Sequence, residues 1–335
     1  MERGRVLTRV LRRPEVGAGV AALAVFVFFS SITDTFLTIS GAQTWLDSSA
    51  LFGIMAVAVA LLMIGGEFDL SAGTMVGSTG LIVGILTTHS GMNIWLSIVI
   101  ALMFALVVGA ANGFMVTRTG LPSFIVTLGT FFLLQGLNLA VTKLVTGQVS
   151  IQGMREIPGY FDARWIFGST VSVLGGSYQI SIVWWLALTA IATWVLLRTR
   201  VGNWIFAVGG AAPSARQVGV PVVQTKIGLF MTTAFAGWVA GMLQLFRTSS
   251  VQASTGVGQE FIYIICAVVG GCLLTGGYGS AIGAALGALI YGMTYQGIAY
   301  AGWDNNWLKA FLGVMLLGAA LVNVWVRRSA EVSRR

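Results

Sequence analysis

Two carboxylates stand beside glycines in the otherwise apolar stretch GGEFDLSAG, which covers residues 65–73. They belong to Glu67 and Asp69, and the runs on either side have the composition of membrane spans. A charged side chain at the centre of a bilayer costs about 2.5–3.5 kcal/mol, so two neighbouring acids are not expected on a lipid-facing helix. The pair therefore predicts a helix break, a protein interface or a water-filled cavity.

The two acids allow different chemistry. Asp69 precedes Leu70, Ser71 and Ala72, and an aspartate at a helix start accepts hydrogen bonds from free backbone N–H groups and complements the helix dipole. Asp69 is thus predicted as the N-cap of the helix that follows, a role worth about 0.5–2 kcal/mol. The alternative for both acids is that they face a polar cavity, where Glu67 would accept hydrogen bonds from hydroxyl groups.

Further polar side chains interrupt the apolar runs and are candidates for the same cavity. An amide or hydroxyl group within a membrane can face polar cargo, but it also joins neighbouring helices by hydrogen bonds. Both interpretations stay open for each of these residues. Besides Ser71, the candidates are Asn112, Thr127, Gln135 and Asn138.

Several other kinds of chemistry find no support in the residues. Cys266 and Cys272 lie in an apolar run without a second pair, so they indicate small buried residues rather than a metal or redox site. His89, the only histidine, lies in a short polar segment, and no HExxH or GxxxxGK[ST] motif occurs. Metal-dependent hydrolysis and ATP binding by this chain are therefore not predicted.

The elements that must position these residues are long apolar helices. The chain has 335 residues, of which 56% are hydrophobic and 9% charged. A membrane helix needs about 20 apolar residues, so the composition predicts an all-α polytopic membrane protein with about ten spans, some of them short or broken. The predicted spans are 16–36, 50–66, 71–88, 94–117, 123–145, 180–197, 222–246, 261–275, 281–300 and 307–326.

The basic residues orient these spans. Most of the 19 Lys and Arg residues fall on one side if both termini are cytoplasmic, as the positive-inside rule expects. This arrangement explains the net charge of +8 better than nucleic-acid binding, which is not predicted. We expect a basic N-terminus over residues 1–15, a single transmembrane domain over 16–326 with a retained first helix, and a basic tail over 327–335.

Two loops and one glycine pattern add local predictions. The outer loop, 146–179, would be a lid, a docking surface or a mobile connection. The inner loop, 198–221, contains Pro213, a residue that favours the first turn of a short helix. Glycines at every fourth position, Gly279, Gly283 and Gly287, would share one helix face and allow another backbone to approach closely. A Gly-Gly pair before an apolar run recurs at residues 65 and 270, which suggests a distant duplication.

Four motifs in order resemble a known family. They are GGEFDLSAGTMVG, LPSFIVTLGTFFLLQGLNLAVTKLVTGQ, GNWIFAVGGAAPSARQVGVPV and AVVGGCLLTGGYGSAIGAALGALIYGM. Together they are similar to the permease subunit of ribose-type bacterial ABC importers, over roughly residues 51–326. The family usually has GGIDLS at the first motif, so here Glu67 replaces a glycine and Phe68 an isoleucine.

The resemblance implies a transmembrane subunit in the bacterial inner membrane. Its partners would be a second permease copy, identical or different, a cytoplasmic ABC ATPase that binds ATP and Mg²⁺, and a periplasmic sugar-binding protein. The chain itself would bind no cofactor and would not be an enzyme. In the family, the cytoplasmic loop after the sixth span docks into the ATPase. The matching positions here are Gly202, Gly209, Ala212, Ala215, Arg216 and Gly219.

The predicted function is therefore import of a small neutral sugar or polyol by alternating access, along a path bordered by the turn at residues 65–73. A permease for branched-chain amino acids or nucleosides is one alternative. An ion-coupled carrier that works alone through Glu67 or Asp69 is another, although several intramembrane ionisable groups would be expected for it. A membrane enzyme is disfavoured because no nucleophile, metal or acid–base cluster can be assembled.

Overall fold

The fold is a bundle of long helices. A computed structural model describes residues 14–173 and 175–332, and this part of the chain contains twelve α-helices. The predicted all-α class is confirmed. The helices of the first half are α1 (Pro14–Ile32), α2 (Ile39–Ile64), α3 (Ala72–Thr88), α4 (Ile94–Thr119), α5 (Ser123–Thr146) and α6 (Tyr160–Phe167).

The second half continues the same pattern. A 3₁₀ turn, Asp34–Leu37, precedes α2, and another, Met154–Glu156, precedes α6. The remaining helices are α7 (Ile180–Arg198), α8 (Arg200–Gln217), α9 (Val222–Thr248), α10 (Gln259–Val269), α11 (Ala281–Tyr300) and α12 (Asn306–Val332).

Helix length and composition divide these elements into two groups. Within the described residues, seven helices are long and apolar enough to cross a membrane, namely α1, α2, α4, α5, α7, α9 and α11. Three shorter apolar segments, in α3, α10 and α12, match the remaining predicted spans. Each predicted run thus corresponds to one apolar helix.

The boundaries differ from the prediction by four residues or more at four helix ends, one of which is the end of α12, which continues from residue 326 to Val332. The second run extends back from residue 50 to Ile39, because its first turns carry polar residues that a hydropathy pattern excludes. The first helix ends at Ile32 instead of residue 36, where a 3₁₀ turn takes over. The eighth ends at Val269 instead of residue 275, because Gly270 and Gly271 stop it.

Helices α2 and α9 form the centre of the bundle. Residues 50, 54, 55 and 57–64 of α2 belong to one buried cluster with the middle of α9, which includes Phe230, Ala234, Val239 and Met242. Because nearly every face of these two helices is covered by protein, their side chains are apolar in all directions. The outer helices α4, α5 and α7 instead leave many large apolar side chains exposed, as lipid-facing helices do.

The two ends of the bundle differ in charge. We call one the basic end: α4 ends there after Arg118, α7 ends at Arg198 and α9 begins at Val222. The opposite end, which we call the outer end, holds the 146–179 segment. If the termini are cytoplasmic, as the charge pattern predicts, the basic end faces the cytoplasm.

The outer segment is folded. Strand β1 (Ser150–Ile151) pairs antiparallel with β4 (Val251–Gln252), and β2 (Thr170–Val173) forms a hairpin with β3 (Gly176–Gln179). The buried Tyr160 of α6 lies against the end of α9, and its hydroxyl donates to the backbone oxygen of Phe246 at 3.1 Å. The segment therefore packs on α9 as an ordered cap.

Candidate functional site

The acid-bearing stretch is a tight turn between α2 and α3. Gly66 has a φ of +84°, and its N–H donates to the oxygen of Met63 at 2.9 Å. The N–H of Glu67 donates to the oxygen of Leu62 at 3.1 Å. These two bonds are the Schellman arrangement that ends a helix, and the positive φ explains why a glycine stands at residue 66.

Asp69 stabilises this turn from the inside. The residue is 2% exposed, and its Oδ1 accepts hydrogen bonds from the Ser71 N–H at 2.8 Å and the Ser71 hydroxyl at 2.6 Å. The prediction that Asp69 is the N-cap of α3 is wrong in its position. The residue at the N-cap of α3 is Ser71, and Asp69 lies two residues earlier, where both of its side-chain hydrogen bonds go to Ser71.

Side chains from α4 and α5 complete a buried polar cluster around the turn. The Asn112 amide donates to the Ser71 hydroxyl at 3.1 Å and accepts a bond from the Thr130 hydroxyl at 2.6 Å. The hydroxyl of Thr127 accepts the backbone N–H of Leu70 at 3.1 Å. Buried polar groups are costly unless they are hydrogen-bonded, so this cluster fixes α4 and α5 against the turn.

Glu67 has a charged partner. Its carboxylate forms an ion pair with the ammonium of Lys226, in the second turn of α9. The Glu67 and Lys226 side chains are 9% and 20% exposed. The ion pair engages Oε1 of Glu67, and the predicted role of this carboxylate as an acceptor for solute hydroxyl groups stays a prediction.

The predicted path residues therefore divide into two sets. Glu67, Asp69, Ser71, Asn112 and Thr127 meet in one cluster, whereas Gln135 and Asn138 lie farther along α5. Gln135 makes no hydrogen bond to the described residues, and the buried Asn138 has an amide nitrogen without a partner there.

Three members of the cluster were absent from the prediction. Ser123 accepts the Phe68 N–H at 3.1 Å, Thr130 binds Asn112, and Lys226 neutralises Glu67. Thr130 follows Thr127 by three residues on the same helix face, which was a usable signal. From the sequence, Lys226 could be assigned only to the basic residues of the inner side. Its pairing with Glu67 could not be predicted, because the two residues are 159 positions apart in the chain.

The cluster lies at the basic end of the bundle rather than at its centre. Ser123 is the first residue of α5, and Lys226 is the fifth of α9. The turn also contacts the predicted coupling loop, because the backbones of Gly66 and Gly209 come close together. The acids are thus placed between the inner ends of the spans and the segment expected to meet an ATPase.

That segment is a kinked helix. Helix α8 breaks at Ala211, with φ −160° and ψ +83°, and its second part contains Pro213, as the sequence predicted. Gly209 precedes the kink, and a Cβ there would approach the Gly277 nitrogen to 2.7 Å and the Ile64 carbonyl more closely still. Only glycine allows this contact between three backbones.

The other predicted coupling residues have different surroundings. Ala215 is buried with Val208 and Val222, so it holds the tip of α8 against the bundle and does not face outwards. Gly202 packs against the backbone at the end of α7, and Ala212 is half-buried. Arg216 and Gly219 are exposed, beside Val218, whose side chain is 79% exposed.

The predicted glycine stripe is correct for two of its three members. Gly283 packs against the backbone of Gly270, and Gly287 against the backbone of Cys266. Gly279 is not on the helix, because the Ser280 hydroxyl caps α11 by accepting the Gly283 N–H at 3.1 Å. Gly279 instead lies in the preceding loop with a φ of +155°.

Comparison with known proteins gives a consistent result. Residues 41–320 match the family described as branched-chain amino acid transport system / permease component. The ribose import permease protein of Escherichia coli K12 is 27% identical over 305 residues, which cover 91% of this chain and 92% of that protein. No solved structure matches the chain.

Two further relatives are similar over most of their length. The fructose import permease protein of Rhizobium meliloti is 29% identical, covering 90% of this chain and 81% of its own. The xylose transport system permease protein of E. coli K12 is 27% identical, covering 92% and 91%. The family match and these relatives, together with the apolar helices, identify the chain as a multi-pass inner-membrane protein that belongs to this permease family.

Proposed function

We propose that the chain is the transmembrane subunit of an importer that carries a small neutral sugar or polyol into the cytoplasm. Two copies, or two related permeases, would form the path, and a periplasmic binding protein would deliver the solute. The names of the ribose, fructose and xylose relatives support the substrate class. Separate ATPase subunits would bind ATP and Mg²⁺, since the chain has no phosphate-binding loop.

The exposed tip of α8 is the observation that supports coupling to an ATPase. Residues 213, 214 and 216–219 are exposed beyond the kink, while Ala215 anchors them to the bundle. An exposed valine among polar residues, at the end rich in Arg and Lys, is suited to a protein groove. Gly209 joins this tip to the turn at residues 65–71, so movement of α8 would reach α2, α3, α4 and α5.

Transport would proceed by a population shift. ATP binding to the partner subunits would favour one orientation of the helices and hydrolysis the other, which alternately opens the two ends. The Glu67–Lys226 pair would stay closed as a hinge contact between α9 and the turn. Such a path needs no strong solute site, because weak hydrogen bonds suffice for a solute that must leave again.

The description of the family names branched-chain amino acids, whereas the names of the relatives described above contain sugars. Uptake in cells that express the complete transport system separates the two classes. We expect accumulation of labelled ribose, xylose or fructose to exceed that of leucine. Leucine uptake without sugar uptake would reject the proposed substrate class.

The docking proposal has its own test. Val218→Glu places a charge in the proposed contact and should reduce ATPase co-purification and solute transport together, while the permease remains folded. Val173→Glu, at another exposed valine in the outer hairpin, is the matched control. Normal transport and ATPase binding by the Val218 variant would remove the docking role.

A further inference from the structure

A second polar region lies at the outer end, far from the acid-bearing turn. A cavity of about 330 Å³ opens there between α2, α3, α9, α10 and α11. Pockets for small molecules have volumes from about 300 Å³ upwards and combine apolar walls with a few polar groups. Its polar lining consists of Gln244, Arg247, Thr248, Gln259, Tyr263, Tyr291 and Tyr295.

Several of these polar groups lack partners in the part of the chain that the structure describes. Tyr291 is 3% exposed, yet its hydroxyl makes no hydrogen bond there, and neither does the half-buried amide of Gln244. Gln259 accepts the Tyr263 hydroxyl at 2.8 Å through its oxygen, which leaves its two N–H donors free. One hydroxyl and two amides that face one cavity can therefore bind water or a ligand that enters it.

Part of the wall is aromatic, next to the aliphatic Leu51, Val76, Ala240 and Ile262. Phe52 packs against Tyr291 with a ring-centre distance of 4.5 Å and against Tyr263 at 5.8 Å. Tyr291 in turn stacks on Tyr295 at 6.1 Å. Rigid rings offer a large apolar surface together with hydroxyl groups at their tips. A solute with C–H faces and equatorial hydroxyls matches both features.

The charge of the cavity is balanced. Among the described residues, Arg247 is the only charged one that lines it, and its guanidinium lies 2.5 Å from the carboxylate of Asp47. The hydroxyl of Ser181 also donates to Asp47, at 2.8 Å. A zwitterionic amino acid would need a free cation and a free anion, whereas the described lining has a cation already paired with Asp47 and no carboxylate. The balance favours a neutral ligand.

We propose that this outer cavity is a transit site for a neutral polyhydroxylated solute, in which Tyr291 and Gln244 bind hydroxyl groups and the aromatic wall contacts the carbon skeleton. The site rests on the proposed function and adds its substrate-contacting residues. It differs from the cluster around Asp69, where the polar groups bind each other.

A labelling experiment tests occupancy without ATP. Both cysteines, Cys266 and Cys272, are buried, so Gln259→Cys introduces an accessible thiol. We expect ribose, xylose or fructose at high millimolar concentration to slow its reaction with a water-soluble thiol reagent, and leucine to leave the rate unchanged. Gln43→Cys, on α2 outside the cavity lining, should react at the same rate with and without sugar.

Transport assays in the complete importer test the contacts. Tyr291→Phe and Gln244→Leu each remove hydrogen-bonding groups and should lower the rate of sugar uptake about two- to tenfold. Gln244→Trp, which fills the cavity, should lower it at least tenfold. Tyr178→Phe in the outer hairpin and Leu186→Trp on the exposed face of α7 are the controls for lost hydroxyl and added bulk.

The outcomes separate the two proposals. If the unmodified importer accumulates sugar, but the cavity variants match their controls and sugar does not protect the introduced thiol, the transit site is rejected and the proposed function stands. If the unmodified importer accumulates leucine and leucine protects the thiol, both proposals fail. Sugar protection together with slower uptake in Tyr291→Phe supports the site.

Discussion

Two helices in this protein end at a Gly-Gly pair, and their backbones are nearly the same. Gly66 and Gly271 have φ angles of +84° and +93°. In each turn the following N–H, from Glu67 or Cys272, donates to the oxygen five residues earlier, at 3.1 and 3.0 Å. The same Schellman geometry therefore stands between α2 and α3 and between α10 and α11.

The residues that follow differ completely. After the first pair come Glu67 and Asp69, which bind Lys226 and Ser71. After the second comes the buried thiol of Cys272, followed by a loop rich in glycine. The first turn is held by polar contacts with three other helices, and the second by close backbone packing.

The difference separates two kinds of information in the sequence. The glycine pair specifies where the chain reverses, because a positive φ is accessible to it. The next few side chains specify what the reversal binds. The two turns also meet, since the Gly277 N–H donates to the Ile64 oxygen at 2.8 Å beside Gly209.

The largest effect is expected where the two turns meet. Gly209→Ala puts a Cβ against the backbones of Ile64 and Gly277, neither of which can move without opening both turns. We expect a loss of about 3 kcal/mol in stability, measured by thermal unfolding of the purified protein in detergent. Gly210→Ala is the control, because open space surrounds its Cβ position. Equal unfolding temperatures for the two variants would contradict this contact.

Breaking the Glu67–Lys226 pair is expected to cause the second-largest loss of stability. Glu67→Gln leaves the ammonium of Lys226 without its partner, and we expect a loss of about 2 kcal/mol, below the 3–5 kcal/mol of a fully buried pair because Lys226 is partly exposed. The double variant with Lys226→Met should recover much of that loss. The exposed Glu156→Gln serves as the control. No recovery in the double variant would mean that the pair does not hold α9 to the turn.

Removing the Asn112 amide from the polar cluster should cause a smaller loss of stability. Asn112→Ala removes one bond to Ser71 and one to Thr130, and leaves two buried hydroxyls with fewer partners. We expect a loss of about 1–2 kcal/mol in the same unfolding assay. Gln135→Ala, on the same bundle but without such bonds, should change stability by less than about 0.5 kcal/mol. The reverse order would show that Gln135 has the greater structural role.

Removing only the charge of Asp69 is expected to have the smallest effect on stability. Asp69→Asn keeps an oxygen that can accept the Ser71 N–H and hydroxyl, so we expect a stability change within about 0.5–1 kcal/mol and nearly normal sugar uptake. Asp69→Leu, of similar size, removes both bonds and should be clearly less stable. Loss of uptake in a well-folded Asp69→Asn protein would instead assign a transport role to the charge.

Much of this architecture follows from local sequence. Long apolar runs predict the helices, and the Gly-Gly pairs predict where two of them stop, because both signals depend on neighbouring residues only. The short helical tip at Pro213 also follows from residues close in sequence. Start points were less accurate where polar residues occupy a first turn, as in α2.

The partners of the acids could not be predicted in this way. The Glu67–Lys226 and Asp47–Arg247 pairs each join residues far apart in the chain, so they depend on how the helices pack. The outer cavity has the same origin, since its lining comes from five helices. Sequence spacing identified Asp69 as a helix-start residue, but the turn geometry places the cap at Ser71.

We propose that this chain is a conduit powered by other subunits that bind the tip of α8. The direct measurement is sugar accumulation in proteoliposomes that contain the chain and its binding protein, with ATP, in the presence and absence of the ATPase subunits. We predict accumulation against a gradient only when the ATPase is present. Accumulation by the chain without it, driven by an ion gradient, would contradict the account.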